Sequence, residues 1–316
     1  MQDNIKAAVI GSFVGDSMAL GVHWVYSPEE IMQKYGRIET LIKPELVDYH
    51  AGRNAGDFTH YGDQAFELLV SVSTANEFDA DNFMSRWRAM FKGNYKGYFD
   101  KATTQTLEQF GECESYNECI SRSSELGGAS RIAPLLVVYH HKLDALLDAA
   151  VAQTKLTHNN PIVMEAAAFM AETAYEVIQG KTPTQAMESV IEGSASRYSH
   201  IADMVRRGLA SVDKPTVEAI GEFGSGSDVE GALPSTVHVI AKYENNFPQA
   251  ITENIMAGGD SAARGMLIGM IIGAQTGMNG IPSGWFEGIN RHEELVGFVN
   301  QTLHKHYYDY TVHESY

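Results

Sequence analysis

The sequence predicts an all-α protein, and three observations support this. Alternating apolar and polar runs of the strand type are almost absent, segments with the length and period of helices dominate, and short loops with capping residues join them. We expect about a dozen helices. No linker or low-complexity segment divides the chain, so we predict one domain over residues 1–316.

The predicted helices follow one another along the chain, and several begin at a clear start signal. Ser27 and Thr182 each precede a proline at the first helical position, a common way to begin a helix. Residues 44–59 and 126–134 are predicted as loops or turns because they are glycine-containing and lack a period. The helices are predicted over residues 5–20, from 28, from 63, 81–91, 103–110, 143–156, 162–178, 184–193, 201–212, 217–220, 233–242, 247–256 and after 260.

Composition excludes several classes of partner. The net charge is −17, with 40 acidic and 23 basic residues, and such a surface repels nucleic acid and anionic lipid. The longest apolar run, around residues 266–278, is too short for a membrane span. Cys113 and Cys119 form no disulfide framework, and the N-terminus lacks the layout of a signal peptide. We therefore expect a cytoplasmic protein with neither nucleic-acid groove binding nor a membrane partner; the sequence does not indicate its oligomeric state.

One stretch near the C-terminal end organises the rest. Residues 258–260 read Gly-Gly-Asp, and the helix that follows has small residues at Gly265, Gly269 and Gly273, every fourth position. An acid at a helix N-terminus is stabilised in its charged form by unpaired N–H groups, and a ridge of glycines lets a neighbouring helix approach closely. Asp260 is either a capping residue on a core helix or an acid of a ligand site.

Two further acids lie beside glycine. Asp16 follows Gly15 inside the first predicted helix, and Asp63 follows Gly62 at the start of another. Asp16 either supports a ligand site or is a buried, hydrogen-bonded structural acid. Asp63 repeats the arrangement of Asp260, because a glycine again brings an aspartate to a helix N-terminus.

These motifs, with others in the same order, resemble the ADP-ribosylglycohydrolase family over almost the whole chain. Each motif alone is weak, and the order of six makes the resemblance specific. The matching stretches are Gly15-Asp16 with Leu20-Gly21, residues 126–134, Leu156-Thr157-His158, residues 246–251, Gly258-Gly259-Asp260 and residues 281–285.

The resemblance implies a compact fold of orthogonal helices with a cleft that holds two Mg²⁺ ions. In active members, a Thr-Asp-Asp-Thr motif and an Asp-x-Asp-Thr motif supply the metal ligands. The metals orient ADP-ribose and help water to break an N- or O-glycosidic bond. Oxygen ligands suit Mg²⁺, and a bound cation can position both substrate and water.

The chain departs from both metal motifs. The best register sets residues 61–64, Tyr-Gly-Asp-Gln, on the first motif, and it keeps only the second acid, Asp63. Residues 260–263 read Asp-Ser-Ala-Ala and lose the second acid of the other motif. Arg264 lies one turn beyond Asp260, where an ion pair would occupy the carboxylate. The pattern most resembles a crystallin-like branch of the family, and it leaves open a single weak Mg²⁺ site or none.

From this resemblance we predict the site residues. Arg131 either binds a phosphate or forms a structural salt bridge, and His158 either contacts a ligand or braces a loop. His23 and Trp24 either line the cleft or pack a corner. The predicted catalytic residues are Asp63, Asp260 and Asp16, with Asp63 and Asp260 as Mg²⁺ ligands; the predicted substrate-binding residues are Gly128, Arg131, His158, Gly226 and Arg264.

The predicted function is hydrolysis of an N- or O-glycosidic bond of ADP-ribose, free or protein-linked, or of a related nucleotide sugar. The alternative is a protein without catalytic activity that binds an ADP-ribose-type ligand or has a structural role, as crystallins do. The lost acids favour the alternative, whereas the retained acids and loops favour residual chemistry.

Overall fold

The computed structural model describes residues 1–110, 120–194 and 196–313, with side chains as far as residue 305; both cysteines lie outside these ranges. Within them the protein is all-α, which confirms the predicted fold class, and the β-type contact is one isolated bridge between Glu125 and Asp228. The helices are α1 (Gln2–Ala19), α2 (Pro28–Tyr35), α3 (His60–Ala75), α4 (Ala80–Lys92), α5 (Lys101–Gln109), α6 (Gly127–Ser130), α7 (Leu136–Tyr139), α8 (Leu143–Lys155), α9 (Pro161–Ile178), α10 (Pro183–Gly193), α11 (Ala202–Ala210), α12 (Thr216–Phe223), α13 (Val229–Lys242), α14 (Phe247–Met256), α15 (Ser261–Thr276), α16 (Ser283–Glu287) and α17 (His292–His313).

Helices α1 and α15 form the centre of the core and run antiparallel, in backbone contact. A Cβ added at Gly269 would lie 2.0 Å from the carbonyl oxygen of Gly11, and one at Gly15 would lie 2.1 Å from that of Gly265. Only glycine permits such an approach. The predicted glycine ridge is therefore confirmed. The facing pairs are Gly15 with Gly265, Gly11 with Gly269, and Ala7 with Gly273.

The other helices surround this pair. Helices α9, α13 and α14 pack on α15, and α17 packs on α1 and α3. The segment Gln2–Val22, which is α1 and the turn after it, is long and apolar enough to span a membrane by composition alone. In the most apolar 18-residue stretch of this segment, 94% is buried inside the protein. Helix α1 is therefore a core helix. The predicted single-domain organisation stays a prediction.

Most predicted helices and their start signals are confirmed. The Ser27 hydroxyl accepts the backbone N–H of Glu30 at 3.1 Å and caps α2. Thr182 caps α10 through a reciprocal capping box with Gln185. Residues 44–59 contain no α-helix, as predicted, although a short 3-10 turn, Asp48–His50, interrupts the loop.

Two predicted helix starts are wrong. Helix α3 begins at His60 rather than near Asp63, because the Thr59 hydroxyl accepts the N–H of Tyr61 at 3.1 Å and caps the helix. Helix α13 begins at Val229 rather than residue 233, capped by Asp228. The proline at 234 lies inside α13 instead of marking its first turn. A third difference is in residues 126–134, predicted as a turn, where α6 and a 3-10 turn form a buried helical segment.

We predict that Gly269→Ala destabilises the protein, because its Cβ would displace the backbone of α1. Overpacking of this kind lowers the free energy of unfolding by about 1–3 kcal/mol, measurable by urea denaturation. The matched control is Gly221→Ala in α12, where no atom lies within 4 Å of the added Cβ. Alanine there should stabilise the helix by up to about 1 kcal/mol. Equal stability of Gly269→Ala and the wild type would contradict the close contact between α1 and α15.

Candidate functional site

The Gly-Gly-Asp junction before α15 is fixed by backbone contacts with two distant segments. Gly258 and Gly259 have φ values of +70° and +68°, which L-residues with side chains rarely adopt. The carbonyl of Gly259 accepts the N–H of Trp24 at 2.8 Å, and the N–H of Asp260 donates to the carbonyl of Ser225 at 2.8 Å. A Cβ at Gly259 would lie 2.0 Å from that same Ser225 oxygen. These contacts place the Asp260 carboxylate precisely in space.

Asp260 is fully buried, and its two carboxylate oxygens have different partners. Oδ1 accepts the N–H of Ala263 at 3.2 Å, so Asp260 caps α15 as predicted, and Oδ2 accepts the phenol O–H of Tyr61 at 3.1 Å. His23 Nδ1 lies 3.5 Å from Oδ1. Burial raises the pKa of Asp260, and the positive charge of Arg264 opposes that rise. The capping role leaves open a second, ligand-binding role for this acid.

The predicted ion pair between Arg264 and Asp260 is wrong: among the residues described, no ion pair joins them. The buried guanidinium instead donates to Asn254 Oδ1 at 2.9 Å and to the carbonyls of Ser225 and Gly258 at 3.1 and 2.5 Å. Burial lowers the pKa of Arg264 to about 10. Its donors are taken up by the backbone that shapes the Gly-Gly-Asp junction, so Arg264 braces the junction from behind.

Among the described residues, Asp63 shares no partner with Asp260. Its Oδ2 accepts hydrogen bonds from Nη2 of Arg53 at 2.5 Å and from the phenol O–H of Tyr95 at 2.7 Å. Burial raises the pKa of Asp63, while Arg53 and Tyr95 oppose the rise. The structure thus gives Asp63 a cation of its own, and it does not join the two acids that the sequence assigns to Mg²⁺.

Asp16 fastens the end of α1 to the start of α3. Its buried carboxylate accepts the N–H of Thr59 at 2.8 Å and the Thr59 hydroxyl at 2.5 Å. A Cβ at Gly62 would lie 2.2 Å from Asp16 Oδ2, so α3 packs directly on this acid. Burial raises the pKa of Asp16 to about 7, although both Thr59 hydrogen bonds lower it. This geometry matches the alternative of a buried structural acid.

Arg131 is buried, and its hydrogen bonds go to neutral groups. It donates to Gln153 Oε1 at 2.8 Å, Gln64 Oε1 at 3.0 Å and Thr157 Oγ1 at 2.6 Å. No salt bridge to Arg131 occurs in the described part of the chain, so the predicted structural salt bridge is wrong. These hydrogen bonds join α3, α8 and the segment after α8, and burial lowers the pKa of Arg131 to about 10.

The other three predicted loop residues lie at different depths. His158 is buried, with Nδ1 2.9 Å from Thr157 Oγ1 and Nε2 without a hydrogen-bond partner. Gly128 packs on it, since a Cβ there would lie 2.5 Å from His158 Cγ. Burial lowers the pKa of His158 to about 3. Gly226 is partly exposed next to Ser225, and no atom lies within 4 Å of a Cβ added there.

The structure brings together three histidines that the sequence patterns do not associate. His23 follows α1, His50 ends the Asp48–His50 turn and His60 begins α3; we call these three the histidine cluster. One ring nitrogen of each lies within 4.8 Å of the other two, and all three side chains are buried. Two acids lie against the cluster: Asp260, 3.5 Å from His23, and Asp100, whose Oδ2 is 3.1 Å from His60 Nε2.

Aromatic rings cover the histidine cluster on one side. Trp24 stacks on His23 with 4.2 Å between ring centroids, and its own φ is +66°, unusual for a residue with a side chain. Tyr49 and Tyr98 pack edge-on against Trp24, at 5.1 and 4.9 Å. We call these three rings the aromatic cup. Tyr49 is 46% exposed, so the cup opens to solvent above the buried polar groups.

The chain belongs to the ADP-ribosylglycohydrolase family, whose model matches residues 1–311. It is 24% identical to crystallin J1B of Tripedalia cystophora over 96% of this chain and 97% of the relative. It is 23% identical to the ADP-ribosyl-[dinitrogen reductase] glycohydrolase of Rhodospirillum rubrum, over 93% and 92% of the two chains. A solved structure titled ADP-ribosylglycohydrolase-related protein complex superposes with a TM-score of 0.74 at 20% identity, covering 96% of this chain and 98% of the other. The fold is therefore an ADP-ribosylglycohydrolase fold.

The donors around Asp260 do not fit the pair of Mg²⁺ ions that the family resemblance implies. Mg²⁺ prefers oxygen ligands in octahedral geometry, usually with several waters. Here the neighbours of Asp260 are a phenol and imidazole nitrogens, and Asp63 is held by Arg53. Tyr61 is the side chain that reaches Asp260 from the start of α3, and it has a phenol instead of a carboxylate.

We predict that Asp16→Asn changes the pH dependence of stability. Because the pKa of Asp16 is raised from 3.8 to about 7, the folded wild type binds an extra proton between these values. Its free energy of unfolding then falls as pH rises through this range, by up to about 4 kcal/mol for this one group. Asn does not titrate, so this slope should be missing from the variant.

The measurement is urea denaturation of both proteins at several pH values between 4 and 8. The difference in stability between wild type and variant should shift in favour of the variant as the pH increases. A difference that does not change with pH would show that Asp16 is not a buried acid with a raised pKa.

Proposed function

We propose that the protein hydrolyses a glycosidic bond of an ADP-ribose-type nucleotide, with Asp260 as the acid that acts on the reacting water. One observation carries this proposal: a buried carboxylate lies at a helix N-terminus, fixed by a double-glycine junction, beneath an aromatic cup that opens to solvent. Membership of the ADP-ribosylglycohydrolase family supports the reaction class.

The chemistry follows from the requirements of glycoside cleavage. The transition state resembles an oxocarbenium ion, and a carboxylate can accept a proton from the attacking water. Asp260 has the raised pKa that suits a general base. In the proposed reaction, Tyr61 and His23 hold its carboxylate in one orientation, and the water that loses its proton attacks the anomeric carbon. As the bond from that carbon to the leaving nitrogen or oxygen breaks, the leaving atom keeps the bonding electrons and takes the proton that Asp260 accepted from the water.

The aromatic cup supports binding of a planar base. Aromatic faces stack on nucleobases without much regard to sequence, and each stack contributes about 1–3 kcal/mol. We assign the adenine to the outer face of Tyr49 and Trp24. Glu125 lies near the site as a partly buried acid that accepts the hydroxyls of Ser123 and Ser227, at 2.9 and 3.1 Å. Its carboxylate can bind ribose hydroxyls.

The remaining predicted residues support this site in the proposal. Arg264 shapes the junction, and Asp16 anchors α3. Gly128 packs on His158 and follows Gly127, which packs on Tyr61. Arg131 fixes α3 to α8, and Gly226 lies in the loop at the rim. Asp63 pairs with Arg53 and so fastens the loop of residues 44–59 to the start of α3. As the sequence suggests, we place this activity in the cytoplasm.

A second candidate is binding of the same nucleotide without turnover. Two contacts favour it: Tyr61 occupies one oxygen of Asp260, and Arg53 neutralises Asp63. A relative at 24% identity is named a crystallin. In this version the site retains the ligand but lacks a free base, and the protein has a binding or structural role.

We predict that Asp260→Asn abolishes turnover of ADP-ribose linked to arginine or serine, lowering kcat by about 100-fold or more because the base is lost. Liquid chromatography of released ADP-ribose measures turnover, and calorimetry measures ADP-ribose binding. Asp203→Asn on the exposed face of α11 is the control and should behave as wild type. Thermal melting checks that the variant is folded, and because asparagine is as good an N-cap as aspartate, the cap of α15 should be retained.

Four outcomes test the two candidates. Turnover by the wild type that Asp260→Asn removes, with the variant still folded and binding ligand, supports the hydrolase. Binding without turnover by the wild type supports the second candidate. A wild type that neither binds nor turns over ADP-ribose contradicts both candidates. Turnover that Asp260→Asn leaves unchanged would show that Asp260 has a structural role and is not the base.

A further inference from the structure

The histidine cluster is the most unusual polar feature of the described residues. His23, His50 and His60 are 0%, 1% and 0% exposed. Among the described residues five of their six ring nitrogens have no hydrogen-bond partner, and the sixth, His60 Nε2, lies 3.1 Å from Asp100 Oδ2. Buried polar groups are normally satisfied, and each orphan costs about 1–3 kcal/mol. Three orphaned imidazoles that face one another therefore point to a ligand that satisfies them together.

The spacing of the three rings suits a shared metal ion. Their ring centroids are 5.1, 5.9 and 5.9 Å apart. With metal–nitrogen distances of about 2.0–2.1 Å in a tetrahedral site, three imidazole centroids come to lie roughly 5 Å apart. The ligand nitrogens, which lie within 4.8 Å of one another, would draw together to about 3.3 Å on binding.

Two carboxylates lie where they can orient the ligands. Asp100 Oδ2 is 3.1 Å from His60 Nε2, and Asp260 Oδ1 is 3.5 Å from His23 Nδ1. Metal-binding histidines usually direct their second ring nitrogen at a carboxylate or a carbonyl, which fixes the tautomer and the ring orientation. In both residues one nitrogen faces the acid, and in the proposal the other binds the ion. Together the two acids can balance a charge of +2.

An aromatic ring covers the histidine cluster and shields it from solvent. Trp24, in its left-handed conformation, stacks on His23 and lies 5.3 Å from His60 between ring centroids. A strained aromatic residue over the cluster limits the access of water.

We propose that His23, His50 and His60 together bind one divalent transition-metal ion of the zinc class. Imidazole nitrogens suit Zn²⁺, Co²⁺ and Ni²⁺, whereas Mg²⁺ requires oxygen. Three protein nitrogens leave a fourth position open, as in catalytic rather than structural zinc sites. The site adjoins Asp260, and it does not depend on the proposed hydrolysis, because its test measures metal binding directly.

The experiment uses the full chain freed of metal by a chelator and titrated with Zn²⁺ and with Co²⁺. Calorimetry should give one Zn²⁺ per chain, and Co²⁺ should produce the visible absorption bands of a nitrogen-ligated, four- or five-coordinate ion. Because Trp24 stacks on the cluster, its fluorescence should change over the same titration. Millimolar Mg²⁺ should not displace Zn²⁺.

Two variants of His50 and one control test whether His50 is a metal ligand. His50→Gln should weaken Zn²⁺ and Co²⁺ binding by about 100-fold or more and remove the Co²⁺ bands. His50→Phe, which retains an aromatic ring in the core, tests the same point if glutamine unfolds the protein, and circular dichroism checks folding. His200→Gln is the control, since His200 is an exposed histidine paired with Glu165.

The outcomes decide the proposal. Wild-type uptake of one ion that His50→Gln or His50→Phe loses and His200→Gln retains supports it. No uptake of Zn²⁺ or Co²⁺ at micromolar concentrations overturns it, as does binding that both His50 variants leave unchanged. Displacement of Zn²⁺ by millimolar Mg²⁺ would also overturn it and would restore an oxygen-based site.

Discussion

The backbone contact between α1 and α15 is the constraint on which the rest of the structure depends. With Gly15 opposite Gly265 and Gly11 opposite Gly269, the two helices lie too close for any side chain between them. Because they run antiparallel, the end of α1 meets the start of α15. This places His23 against Asp260, although more than two hundred positions separate them in the chain. The candidate site is therefore a direct result of the helix pair, and its precision depends on glycine.

The buried polar groups around this helix pair differ in whether they have hydrogen-bond partners. Arg264, Arg131 and Asp16 have hydrogen bonds to backbone or side-chain groups, so their burial is compensated within the fold. In the described part of the chain, the ring nitrogens of the histidine cluster have no such partner, apart from His60 Nε2 beside Asp100. Their lack of hydrogen-bond partners is best explained by a ligand, and the acids beside His23 and His60 are consistent with a cation.

The sequence predicted the fold class, most helices and the glycine ridge, because these depend on local periods and on residues in one continuous segment. It misplaced the start of α3 because Thr59 caps that helix three residues before the glycine-aspartate signal. It predicted Arg264 beside Asp260, where helix spacing alone suggests an ion pair, but the guanidinium turns to carbonyls supplied by a distant loop. His50 and Asp100 could not be found from local patterns. Each lies in a segment with no motif, and only the folded chain brings it to His60.

The central claim is that nitrogen ligands, rather than a pair of acids, form the metal-binding part of this site. A crystal structure of the protein grown with Zn²⁺ and ADP-ribose, recorded at the zinc absorption edge, tests it most directly. We predict one strong anomalous peak about 2.0–2.1 Å from a ring nitrogen of each of the three histidines, with the nucleotide in the aromatic cup. A peak between Asp63 and Asp260, or no peak within bonding distance of the histidines, would contradict the claim.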